Sequence, residues 1–132
     1  MKKITIAIDG FSSTGKSTLA KELAQTLGYV YVDTGAMYRA ITYLVKENID
    51  SVDPIKKTLD SNPVIEFNES NDVIINGDNR ETEIRGDAVA NKVSEVAADE
   101  RVREYLLQLQ TRLIEGKGVV MEGRDIGSII MP

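Results

Sequence analysis

The feature of this sequence that most restricts its fold is a glycine-rich loop between a short apolar run and a helical pattern. Residues 10–17 read GFSSTGKS, which fits the pattern G-x-x-x-x-G-K-S/T at every fixed position. The preceding run, residues 4–8, is β-branched and almost continuously apolar, as in a strand buried on both faces. After the loop, apolar residues recur at helical spacing up to a glycine at the C-cap position; they are Leu19, Ala20, Leu23, Ala24 and Leu27, followed by Gly28. The sequence therefore predicts a strand, a loop and a helix in succession.

A loop of this composition is typical of a phosphate-binding site. Its glycines allow successive backbone N–H groups to point at phosphate oxygens, and the following helix adds the positive end of its dipole. Lys16 supplies a mobile positive charge for the outer phosphates, and the Ser17 hydroxyl is placed to ligate Mg²⁺. We expect the phosphates of a nucleoside triphosphate to be bound by Gly10, Ser12, Ser13, Thr14, Gly15, Lys16, Ser17 and Thr18.

The rest of the chain predicts an α/β fold with an insertion. A second strand over 29–32 and an amphipathic helix through Met37 and Val45 continue the β-α rhythm, which favours a parallel sheet with crossover helices. The middle breaks that rhythm. It predicts a short helix begun by Pro54, strands over 64–67 and 73–75, and a reversal at Asn76-Gly77. Two helices, over 88–98 and through Val102, Leu106, Leu109 and Leu113, then lead to a strand over 119–121.

Composition limits the chemistry. The chain has no Cys and no His, so disulfides, thiolate metal sites and a histidine general base are excluded within it. Its net charge of −5 argues against a broad nucleic-acid surface, and no 18-residue apolar stretch predicts a membrane span. We expect a cytoplasmic protein that works with carboxylates, hydroxyls, Lys, Arg and backbone amides.

Two further segments place polar side chains at the same predicted sheet edge as the loop. Residues 33–39 follow the second strand, and residues 122–125 follow the last one. Ligands gather at the carboxyl ends of parallel strands, and the fork of an arginine suits a phosphate. Considered alone, Arg39 could be a solvated helix charge, Tyr38 a packed ring, and residues 122–125 an ordinary turn.

Together these segments resemble the N-terminal part of the bacterial cytidylate kinase family of phosphate-loop nucleoside monophosphate kinases. The residues that carry the resemblance are 8–10, 15–18, 33–39, 83–85, 89–91, 93–97, 101–103 and 122–127. Phe11 and Ser13 depart from the loop residues usual in the family, which affects loop geometry but removes no phosphate-binding group.

The resemblance implies a phosphate-loop NTPase three-layer fold, α/β with a parallel sheet and a small antiparallel monophosphate-binding insertion. It implies a single domain over 1–132, with a core of 1–50 and 116–132 and an insertion over about 51–98. The implied reaction moves the γ-phosphoryl of ATP to CMP or dCMP with Mg²⁺, and Lys16, Arg39 and Arg124 are the implied catalytic residues.

Substrate roles follow from the same resemblance. Thr34, Tyr38, Arg39 and Arg124 match positions around the acceptor phosphate, whereas Ser94, Arg103 and Asp125 match those that read the cytosine edge. The trio suits cytosine chemically, because a carboxylate can accept from its amine while Arg and Ser donate to its acceptors. Solvated-helix positions would also explain Arg103 and the neighbouring Arg101, and Ser94 could bond a preceding carbonyl. Ser17 is the implied Mg²⁺ ligand, with Asp33 or Glu122 acting through water.

Members of the family are considerably longer than this chain, which stops at Pro132. The part beyond would hold the lid, further sheet strands and closing helices. We therefore expect the 132-residue chain alone to be impaired in catalysis. The full-length protein is expected to be a monomer, whereas the edge of the first strand could lead the shorter chain to self-associate.

Three alternatives remain from the sequence. One is a kinase of the same fold for another monophosphate or a shikimate-like acid. The second is a nucleotide-binding module without transfer activity. A GTPase is the third, although the sequence shows no N-K-x-D guanine motif.

Overall fold

The computed structural model describes residues 5–9, 14–114 and 118–123. It divides into two compact units, the first comprising Met1–Gly35 and Leu109–Pro132 and the second Ala36–Gln108. The elements in chain order are β1 (Thr5–Asp9), α1 (Thr14–Leu27), β2 (Val30–Asp33), α2 (Thr34–Glu47), α3 (Pro54–Asp60), β3 (Ile65–Phe67), β4 (Val73–Ile75), β5 (Asp78–Asn79), α4 (Glu81–Ile84), α5 (Asp87–Ala90), α6 (Val93–Ala97), α7 (Glu100–Ile114) and β6 (Val119–Gly123). The expected division into a core and an insertion over about 51–98 stays a prediction.

The first unit contains a parallel sheet, as the sequence predicted. Its strand order is β1-β6-β2, and both β1 and β2 pair with β6 in parallel. Parallel strands need crossover connections, and α1 provides the connection between β1 and β2, which lie on either side of β6. Among the strands that the structure describes, β1 lies at an edge of this sheet. Self-association through that edge stays a prediction.

Small residues on α1 form the contact between helix and sheet in the first unit. Ala20 and Ala24 are buried together with Tyr31 of β2 and Val120 of β6, and Leu23 is partly buried against them. Leu19 belongs to the predicted apolar stripe but is 58% exposed. It lies about 100° around the helix axis from Ala20, because an α-helix has 3.6 residues per turn. Leu27, the last residue of the helix, is also exposed.

The second unit holds the antiparallel sheet that the sequence predicted in the middle of the chain. Its order is β3-β4-β5, and the turn at Asn76 and Gly77 has positive φ at both residues, as a tight hairpin requires. The buried apolar side chains of this unit come from both its helices and its strands; they include Met37, Ile41, Val45, Ile65, Val73, Ile75, Ile84, Val89, Val96, Val102 and Leu106.

The helical prediction for 88–98 was wrong in one respect. The structure has two short helices there, α5 and α6, with a turn between them at Asn91 and Lys92. The Lys92 N–H donates to the Val89 carbonyl at 3.0 Å, which tightens the chain and ends α5. Both helices still bury an apolar side chain, Val89 and Val96 respectively. The sequence analysis also missed β5 and α4.

None of the helices in the described part of the chain has the length and apolarity needed to span a membrane.

Candidate functional site

The glycine-rich loop lies in the context that the sequence predicted. β1 ends at Asp9 and α1 begins at Thr14, so Gly15, Lys16 and Ser17 belong to the first turn of α1 and Thr18 follows. The remaining loop residues, Gly10, Phe11, Ser12 and Ser13, lie outside the described residues. The first amides of a helix have no intrahelical partner, and they favour an anion. The backbone therefore fits phosphate binding at this position.

Acidic positions gather at the carboxyl ends of the strands in the first unit. Asp33 aligns with Glu122 in the β2–β6 pair, and Ile8 aligns with Glu122 in the β1–β6 pair. Neighbouring strands lie about 5 Å apart, so the Asp33 and Glu122 backbones are adjacent. The described residues contain no group of three acidic, Cys or His side chains that could hold a metal ion.

Thr34 is the first residue of α2 and follows Asp33 without a gap. Its side chain is buried, at 4% exposure. Arg124 and Asp125, which the resemblance places at the acceptor phosphate and the cytosine edge, lie outside the described residues.

In the second unit, two predicted site residues on different helices interact electrostatically. Burial raises the pKa of Tyr38 on α2, and the positive charge of Arg103 on α7 partly offsets the effect. The Tyr38 hydroxyl therefore remains a protonated hydrogen-bond donor at neutral pH. Arg39, next along α2, is half-buried with a buried Nε atom, whereas Arg103 and Ser94 are exposed.

Sequence reasoning missed an ion-pair network beside Arg103. The Arg101 guanidinium donates to Asp99 and also to Asp53, which precedes α3. The sequence contains part of the signal, because an Asp directly before Pro54 and another before Glu100 are typical of helix N-caps. It contains no sign that one arginine joins them.

Comparison with known proteins identifies the family of this chain. The family model for cytidylate kinase matches residues 6–132, nearly the whole chain.

The chain belongs to the cytidylate kinase family.

Curated relatives of the chain include bacterial proteins named cytidylate kinase. The chain is 50% identical to the protein of Flavobacterium psychrophilum, 47% to that of Flavobacterium johnsoniae and 45% to one from Streptococcus pneumoniae. Each match includes all of this chain but only 62–63% of the relative's length. The resemblance and the α/β fold class that the sequence predicted are therefore confirmed, while the individual site residues remain predictions.

Proposed function

We propose that the protein carrying this chain transfers the γ-phosphoryl group of ATP to the 5′-phosphate of CMP or dCMP. The observation that supports this proposal most strongly is the complete motif of residues 10–17, which follows β1 and continues into the first turn of α1, in a chain that belongs to the cytidylate kinase family. CDP or dCDP and ADP are the products.

The donor nucleotide is bound at the N-terminus of α1. Backbone N–H groups of the loop would contact the phosphates of ATP, Lys16 would pair with the outer phosphates, and Ser17 would ligate Mg²⁺. Asp33 or Glu122, whose backbones are adjacent at the carboxyl edge of the sheet, would contact the ion through water. Bound Mg²⁺ supplies positive charge that lowers the repulsion between the phosphates.

The acceptor is bound by polar side chains from several elements. Thr34, Tyr38, Arg39 and Arg124 hold its phosphate, and the protonated Tyr38 hydroxyl contributes a hydrogen bond to an anionic oxygen. Ser94, Arg103 and Asp125 read the edge of the cytosine base. Arg103 and Ser94 donate to the ring nitrogen and the carbonyl, and Asp125 accepts from the amine.

The reaction needs no strong general base. The acceptor phosphate oxygen is already anionic near neutral pH, so a chain without His can carry out the transfer. Lys16, Arg39 and Arg124 contribute by holding donor and acceptor in line and by neutralising charge as the phosphoryl group moves.

Replacement of Lys16 tests the donor site. In the natural protein at full length, Lys16→Ala should lower kcat/KM for ATP by about a hundredfold or more, because it removes a charged group from the transferring phosphates. Lys21→Ala is the matched control, since Lys21 is an exposed lysine of the same helix that lies over the Tyr31 ring. Equal activities of the two variants in a coupled ADP-release assay would show that the loop does not hold the donor.

A further inference from the structure

Two helices of the second unit begin with an aspartate that caps free backbone amides. Asp53 precedes α3, and its Oδ1 accepts a hydrogen bond from the Lys56 N–H at 3.2 Å. Asp99 precedes α7, and its Oδ1 accepts one from the Arg101 N–H at 2.9 Å. Such contacts satisfy donors that the helix leaves unpaired at its start.

A single guanidinium joins these two capping carboxylates. Arg101 donates from Nε and Nη2 to the two oxygens of Asp99, at 3.1 and 2.9 Å, and from Nη1 to Asp53 Oδ2 at 2.8 Å. Two parallel bonds to one carboxylate fix the plane of the guanidinium. The third bond reaches a residue 48 positions away, so it connects the start of α3 to the start of α7.

The first turn of α7 also carries Arg103. The Arg103 N–H donates to the Asp99 carbonyl at 3.2 Å, so its backbone is hydrogen-bonded into the capped turn. Its side chain is exposed, yet its charge acts on Tyr38 of α2. Burial does not fix the Arg103 side chain, and its reach therefore depends on where the first turn of α7 lies.

We propose that Arg101 is a positioning residue that ties the first turn of α7 to the Asp53 cap and thereby aims Arg103 at the base of the acceptor nucleotide. The inference rests on the proposed function, which assigns Arg103 to the cytosine edge. If the ion pairs of Arg101 only stabilised the fold, their loss would change folding stability little, because the partners are partly exposed and exposed ion pairs add little to folding stability. The consequence is therefore expected in acceptor affinity rather than in the melting temperature.

Steady-state kinetics of the natural full-length protein separate these roles. Arg101→Ala should raise KM for CMP at least about fivefold, while KM for ATP and the melting temperature change little. Asp53→Asn keeps a good capping side chain on α3 but weakens the bond to Arg101, so it should raise KM for CMP in the same direction. Arg101→Lys should be intermediate, since one ammonium cannot reproduce the fork.

Two comparisons show whether Arg101 acts through Asp53 and Arg103. The double variant Arg101→Ala with Asp53→Asn should raise KM for CMP no further than Arg101→Ala alone. In a protein that already carries Arg103→Ala, the Arg101→Ala substitution should cause no additional rise in KM for CMP. Arg80→Ala is the matched control, because Arg80 also pairs with two carboxylates, Asp78 and Glu83, and should leave KM for CMP unchanged.

The kinetics of these variants distinguish a failure of the proposed function from a failure of the positioning role of Arg101. If Arg103→Ala leaves KM for CMP unchanged, the role of Arg103 in the proposed function is wrong and the inference falls with it. If Arg103→Ala raises KM for CMP but Arg101→Ala does not, only the positioning role is wrong. Equal effects of Arg101→Ala with and without Arg103 would also overturn that role.

Discussion

Gly118, the residue before β6, faces the ring of Tyr29 at very short range. A Cβ at this position would overlap three ring carbons of Tyr29, at 2.7 Å or less. Tyr29 packs against the core of the first unit, so moving its ring would disturb that core. We predict that Gly118→Ala lowers the free energy of unfolding by about 1–3 kcal/mol, the usual cost of overpacking.

Urea denaturation followed by circular dichroism measures this cost. Gly86→Ala is the control, because a Cβ there meets only the Glu83 carbonyl oxygen, at an ordinary 3.4 Å. A Gly118→Ala protein as stable as the Gly86→Ala protein would contradict the packing described here.

Residue roles differ in how far sequence predicts them. Pro54 at the start of a helix and Gly28 at the end of one are local signals, and the structure confirms both. Gly28 adopts a positive φ, which a glycine tolerates best. The bond between Arg101 and Asp53 depends on two segments that meet only in the folded chain, and no local pattern encodes it.

At the scale of elements, the pairing of Arg101 with the two helix caps predicts a particular response to acid. Hydrogen bonds from Arg101 are the largest cause of the lowered pKa of both Asp53 and Asp99. A carboxyl whose pKa is lower in the folded chain contributes stability that is complete above its ordinary pKa of about 4. That contribution is lost as the pH falls through the lowered native pKa.

The melting temperatures of wild type and Arg101→Ala should therefore differ by a small, constant amount above about pH 5, in keeping with the exposure of these ion pairs, and converge as the pH falls below about 4. Differential scanning fluorimetry across this range measures both curves. A difference that stays the same down to about pH 2 would show that Arg101 does not stabilise the ionised carboxylates.

The turn between β4 and β5 allows a second prediction at this scale. Gly77 has a φ of +89° and no atom within 4 Å of the position that a Cβ would occupy. Gly77→Ala should therefore cost about 1 kcal/mol from backbone strain alone. Asn76→Gly is the comparison, because a glycine relieves the backbone strain of the positive φ at the preceding residue. It also removes the 2.9 Å hydrogen bond that the Val64 N–H donates to the Asn76 side chain. Unchanged stability of Gly77→Ala in urea would contradict the turn geometry.

Periodicity predicted the long elements better than the short ones. α2 and α7 were found because apolar residues recur along them over several turns, as Met37, Ile41 and Val45 do on α2. The break between α5 and α6 was not predicted, because Val89 and Val96 keep helical spacing across the turn at Asn91 and Lys92. A two-residue strand such as β5 has too few positions to show an alternating pattern.

At the scale of the whole molecule, the order of elements was predictable because loop motif, strand patterns and turn residues all indicated the same α/β arrangement. The acceptor-binding residues were harder to predict from the sequence, because they come from distant segments such as α2 and α7. The resemblance, and not the local pattern, assigned roles to Ser94 and Arg103.

The edge of the parallel sheet gives a prediction for the chain as a unit. β1 pairs with β6 on one side and with no other strand of the described residues. An unpaired edge favours pairing with a second copy, so the 132-residue chain is expected to self-associate as its concentration rises. Sedimentation velocity that shows a monomer throughout the concentration series would contradict this expectation.

Selectivity among acceptor nucleotides tests the proposed transfer of a phosphoryl group from ATP to CMP or dCMP. The most direct measurement compares kcat/KM for CMP, dCMP, UMP and AMP as acceptors, at saturating ATP and Mg²⁺, in the full-length protein. We expect values of kcat/KM for CMP and dCMP at least about tenfold above those for UMP and AMP, because the wrong bases leave hydrogen-bonding groups of the site unpaired. Equal use of the four acceptors, or a preference for AMP, would contradict it.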